Sequence, residues 1–119
     1  MKAIEIKADG WIEGKGYKKQ VLASPEEIEC EGCLAQVVEI KPGAYVAPHY
    51  HEKTYEYYYV ISGEVTFTIN ELERVLKTGD MMITEPDDVH SVKNASSEDF
   101  RILVFKTNAS PDDTVWLDS

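Results

Sequence analysis

The stretch Ala47–Gly63, "APHYHEKTYEYYYVISG", decides how this chain is read. His49 and His51 stand on alternate positions of a strand-like run, so their side chains leave the same face. By that parity Tyr45 and Ala47 face the same way. The short polar link Glu52–Thr54 then resets the phase. On the strand that follows, Glu56, Tyr58 and Val60 share one face, while Tyr57, Tyr59 and Ile61 share the other. A hairpin-like return brings Glu56 back beside the histidine pair.

The rest of the chain repeats this style. Strand-like runs cover 18–24, 34–40, 44–51, 55–61, 64–69, 73–77, 80–84, 90–94 and 100–107, with turn signals such as Lys41-Pro42-Gly43, Ser62-Gly63 and Thr78-Gly79 between them. No segment keeps a helical period over three turns. Short strands at even spacing predict an all-β domain, a sandwich or barrel, and 119 residues suit one domain spanning 1–119. The segment from Asn108 onward is mostly polar around Trp116, and is expected to lie over the surface or on a partner.

Charge narrows the function classes. Twelve basic residues against 22 acidic ones give a net charge of −10. Such a field repels phosphate backbones and anionic lipid surfaces, so neither nucleic acid nor a membrane is an expected partner. No apolar run at the N-terminus has signal-peptide length, which makes a cytoplasmic location the expectation. Cys30 and Cys33 form "CEGC", but the residues after it read as a strand rather than the helix of a redox motif. No second ligand pair stands at zinc-site spacing. The pair is read as two reduced thiols flanking a turn at Gly32.

The third histidine, His90, shares strand parity with Val92 and Asn94 and can meet the first pair across a two-sheet barrel. Three imidazoles and a carboxylate form a nitrogen and oxygen set suited to one divalent transition metal, with Fe, Mn, Ni, Co and Zn all admissible. Two histidines at alternate positions are by themselves common on protein surfaces. The wider spacing carries more weight.

That spacing resembles the cupin family. Its first motif runs Gly, five residues, His, one, His, three or four, Glu, six, Gly. This chain has Gly43, His49, His51, Glu56 and Gly63 at those intervals. Its second motif runs Gly, five, Pro, one, Gly, two, His, three, Asn. Gly79, His90 and Asn94 fit, whereas the proline falls one residue late at Pro86 and Asp87 replaces the second glycine. The resemblance covers about residues 34–106. It implies a double-stranded β-helix (a jelly-roll barrel), with the N-terminal strands and the C-terminal tail flanking it. It also implies one metal ion held by His49, His51, Glu56 and His90, and a homodimer covering the apolar Tyr57, Tyr59 and Ile61 face.

Four protein ligands leave room on the ion for a small-molecule ligand or substrate. Tyr58 and Tyr45 are the candidate catalytic residues, with Gln36, Met81 and Met82 as further neighbours by parity. Three functions fit: a metal-dependent enzyme, dioxygenase-like or isomerase-like, on a small polar oxygenated substrate; a non-catalytic small-molecule-binding module; and a metal-free sugar-nucleotide isomerase or epimerase. The last needs basic residues to grip phosphates, and the strands concerned supply only Lys53, Lys93 and Arg101.

Overall fold

The computed structural model describes residues 1–117. In chain order the strands are β1 (Ile12–Glu13), β2 (Lys18–Ala23), β3 (Leu34–Ile40), β4 (Tyr45–His51), β5 (Tyr55–Ser62), β6 (Glu64–Ile69), β7 (Leu72–Lys77), β8 (Met81–Thr84), β9 (His90–Lys93), β10 (Phe100–Thr107) and β11 (Thr114–Trp116). They form two antiparallel sheets ordered β1-β2-β3-β10-β5-β8 and β11-β4-β9-β6-β7. This is the jelly-roll barrel that the family resemblance implies, within the all-β plan that the strand pattern predicts. The alternation of apolar and polar residues explains why the sheets stack. Val60, Ile102 and Val104 of one sheet and Val65, Phe67 and Val92 of the other are all at most 6% exposed and form one core.

The flanking segments are part of the wall. Strand β2 pairs with β3 along Lys18–Ala23, and β11 pairs with β4 in the register Thr114↔His51 and Trp116↔His49. The tail therefore completes its own chain's second sheet, where its composition suggested a path over the surface or on a partner. One helical turn, α1 (Pro25–Ile28), also escaped the pattern. Its signal was present: Ser24 Oγ accepts from Glu27 N–H, the Glu27 carboxylate accepts from Ser24 N–H, and proline opens the turn. Cys30 and Cys33 follow it in a turn leading straight into β3, with Sγ atoms 3.0 Å apart.

The structure corrects the expected placement of Tyr45. Val46 pairs with Val92 and His49 with His90, so β4 spends three steps where β9 spends two. That one-residue bulge lies at Ala47–Pro48, where the proline has no N–H for a ladder bond. It exchanges the faces of everything before it. Val46 therefore joins the core, while Tyr45 turns outward and is 49% exposed. Met81 is likewise outward at 59%, and Met82 packs against the core.

Two turns position the later ligand strands. Gly63 has φ +93°, and a Cβ there would lie 2.7 Å from the Asp99 carbonyl oxygen, so only glycine fits. Asp87, standing where the family motif has glycine, takes φ 70°, and its N–H donates to the His51 carbonyl at 2.8 Å. Aspartate tolerates that left-handed conformation better than most residues, which explains why the exchange leaves the turn intact. Among the described residues no helix is long and apolar enough to cross a membrane.

Candidate metal centre

Each histidine is held by its Nδ1 atom. His49 Nδ1 donates to the Ala47 carbonyl at 2.8 Å, His90 Nδ1 to the Asp88 carbonyl at 2.9 Å, and His51 Nδ1 to the Asp113 carbonyl at 3.3 Å. A carbonyl only accepts, so Nδ1 is the donor in these contacts and Nε2 is the ring atom left for the site. Backbone carbonyls of this kind are the usual supports of metal-binding imidazoles.

The three rings meet. One nitrogen from each of His49, His51 and His90 lies within 4.8 Å of the other two. Glu56 Oε1 stands 2.7 Å from His51 Nε2 and 3.4 Å from His90 Nε2. The first contact is short, yet His51 Nε2 has no hydrogen-bond partner of acceptable direction. A buried imidazole nitrogen this close to a carboxylate oxygen, without a well-directed hydrogen bond, is an arrangement that a shared cation completes. The donor set thus fits a cation: three imidazole nitrogens gathered in one place, with a carboxylate oxygen against two of the rings.

Charge tuning is strong here. Burial opposes ionisation of Glu56, but the His51 and His90 imidazoles and the Lys106 ammonium outweigh it and hold the carboxyl well below its ordinary range. Burial and the neighbouring His90 push His49 down to about 4, which keeps it neutral and able to bind a metal. Tyr58 O–H donates to Glu56 Oε1 at 2.8 Å and lies 3.4 Å from His90 Nε2. Burial, then the Glu56 charge, raises its pKa well above the ordinary value, so it stays a proton-bearing phenol. Tyr45, the other tyrosine singled out by strand parity, lies outside this cluster.

A cavity of about 130 Å³ opens over the rings, lined by Gln36, which strand parity had placed near the site, and by Tyr17, Lys19, Lys106 and Trp116, which it had not. Trp116 packs on His49 with ring centroids 4.5 Å apart. Asp113 accepts hydrogen bonds from the backbone of Glu52, Lys53 and Thr54, the link between the two ligand strands. Asn94, fully buried, donates to the Ile40 and Glu98 carbonyls and anchors the end of β9. Burial, then the nearby Lys106, lowers the Lys19 pKa.

A cupin domain model matches residues 36–106, which is more than half of the chain. This chain belongs to the cupin family. The cupin is 32% identical over 91 residues to the oxalate-binding protein of Thermotoga maritima, covering 76% of this chain and 75% of that one. It is also similar to the solved structure of a predicted oxalate decarboxylase from Thermotoga maritima, with TM-score 0.71 and 28% identity over 76% of this chain and 79% of that one. A third likeness is to a polyketide cyclase from Streptomyces resistomycificus, with TM-score 0.78 and 16% identity over 100% and 87% of the two chains. At that identity the last likeness concerns the fold alone.

Proposed function

We propose that this cupin is a metal-dependent enzyme acting on a small polar oxygenated substrate, with His49, His51, Glu56 and His90 as ligands of one divalent transition ion. The observation that carries the reading is the gathering of the three imidazoles, with Glu56 Oε1 against His51 and His90, while every Nδ1 is tied to a backbone carbonyl. When bound, the ion supplies Lewis-acid polarisation of a coordinated oxygen. Tyr58 keeps a phenolic proton at its Oη beside that position, suited to donating it to a substrate oxygen or orienting that oxygen. Trp116 and the apolar side chains of Val46, Phe67 and Val104 line the cavity beside it.

The oxalate-binding relative supports a small oxygenated ligand. A metal-free sugar-nucleotide isomerase fits poorly. Of the basic residues it would need on the site strands, Arg101 is engaged with Glu39 at 2.7 Å and Lys93 with the Gly43 carbonyl.

Elemental analysis of wild type beside a His49→Ala, His51→Ala double variant tests the site. The expected result is one ion per chain in the first and none in the second. Tyr58→Phe should keep the ion and lower turnover about 10²- to 10⁴-fold, read by oxygen uptake or product formation with small hydroxy and keto compounds. Wild-type protein that refuses every added divalent ion overturns the reading.

The homodimer belongs to the same proposal. Cross-strand rows Leu103–Tyr59–Met81 and Phe105–Tyr57–Ile83 cover the outer face of the first sheet. Tyr59, Ile61, Met81 and Ile83 are 44–59% exposed there, and none of these residues is charged. An exposed apolar patch without charges of its own is where a chain of net charge −10 meets a second copy with least repulsion. Light scattering of wild type against Tyr59→Lys should show a dimer and a monomer. A wild-type monomer overturns it.

A further inference from the structure

We infer that Lys19, Lys106 and Gln36 form a carboxylate-reading wall beside the histidine cluster, and that the ligand is a small organic acid carrying a hydrogen-bond donor, as in a 2-hydroxy acid. This rests on the proposed metal-dependent reading and names the substrate class of that site.

The charge distribution is the first argument. The chain carries 22 acidic residues against 12 basic ones, yet its histidine cavity is lined by two lysines and a single acidic residue, Glu56. The Lys106 side chain is only 17% exposed, and Lys19 is half-buried and makes no ion pair among the described residues. Lys106 Nζ stands 3.9 Å from Glu56 Oε2, too far for a hydrogen bond. A divalent ion engaging Glu56 adds further positive charge. Two lysines lining one cavity, one of them without a counter-ion among the described residues, fit a ligand that brings negative charge.

Gln36 supplies the second argument. Its side chain is 4% exposed and lines the cavity, and Gln36 Oε1 has no hydrogen-bond partner. A buried carbonyl oxygen without a donor is costly, so a ligand that brings an O–H or N–H is favoured there. A fully ionised dicarboxylate has no such group, whereas a hydroxy acid has both a charge for the lysines and a donor for Gln36. Size agrees: 130 Å³ corresponds to about four water volumes, which suits an acid of a few carbons.

Calorimetric titration of the manganese-loaded protein with glycolate, acetate, ethylene glycol, oxalate and inorganic phosphate tests this, with Trp116 fluorescence as a second readout. Glycolate should bind tightest. Lys19→Met with Lys106→Met should weaken glycolate and acetate about tenfold or more and leave ethylene glycol unchanged. Gln36→Leu should shrink the advantage of glycolate over acetate and leave acetate itself unchanged. Each variant is first checked for wild-type metal content and unfolding midpoint.

Ethylene glycol binding as tightly as glycolate, or phosphate or oxalate binding tighter than glycolate, overturns the inference while leaving the metal reading in place. If the protein takes no metal, the proposed function fails instead. The same titrations on the metal-free protein then decide the wall: lysine-dependent glycolate binding sustains it, and its absence overturns it.

Discussion

Asp113 holds Thr54 through two hydrogen bonds, from its backbone N–H at 2.9 Å and its hydroxyl at 2.5 Å, both to Oδ2. The same carboxylate accepts from the backbone N–H groups of Glu52 and Lys53. Those three residues are the link between His51 and Glu56. A residue more than fifty positions away therefore sets the distance between two candidate ligands. The Asp113 carbonyl also supports the His51 ring.

Replacing Asp113 by Ala should lower metal affinity about 10- to 100-fold while the ion still binds, because support of a ligand is lost and no ligand is. Competition titration against a chromophoric chelator measures it. Affinity equal to wild type would mean that the link holds its shape unaided.

Acidification should destabilise the metal-free protein from about pH 6.5 downward. His49 is held at about 4 in the folded state against an ordinary 6.5. The unfolded chain therefore takes up the proton first, and stability present above 6.5 drains as pH falls toward 4. The loss reaches about 3 kcal/mol at most and is reduced by the partial exposure of the ring. Glu56, held well below its ordinary 4.5, extends the loss at lower pH in the same direction. Urea midpoints at pH 8, 6, 5 and 4 should fall steadily, and a flat series contradicts the assignment. Bound metal should be released over the same range as protons compete for the imidazoles.

Gly63→Ala should destabilise the fold by about 2–3 kcal/mol, since φ is +93° and the new Cβ meets the Asp99 carbonyl oxygen. Gly79 has a similar φ of +92° but open space around it, so Gly79→Ala should be milder. Denaturant unfolding of the two variants separates strain from steric contact.

Cys30→Ser with Cys33→Ser should leave metal content and the unfolding midpoint nearly unchanged. The two thiols touch each other rather than the histidine cavity, and no helix N-terminus activates them. A loss of bound metal in this variant would reveal a thiolate site.

The sequence by itself determined the strands and most of the cluster. Alternation is a local property, so the runs at 34–40, 64–69 and 100–107 coincide with β3, β6 and β10. The spacing of His49, His51, Glu56 and His90 identified residues that the barrel then brings together. Strand parity failed at Tyr45 because a bulge is decided by pairing with β9, and Pro48 marked the place without giving the direction. It could not reach Trp116, Asp113, Lys19 or Lys106 either. Their roles arise from the closing of β11 onto β4 and from the register of β2 and β10, contacts between residues far apart in the chain. Only tertiary structure places such groups, because which distant backbones pair depends on how both sheets bury their apolar faces at once.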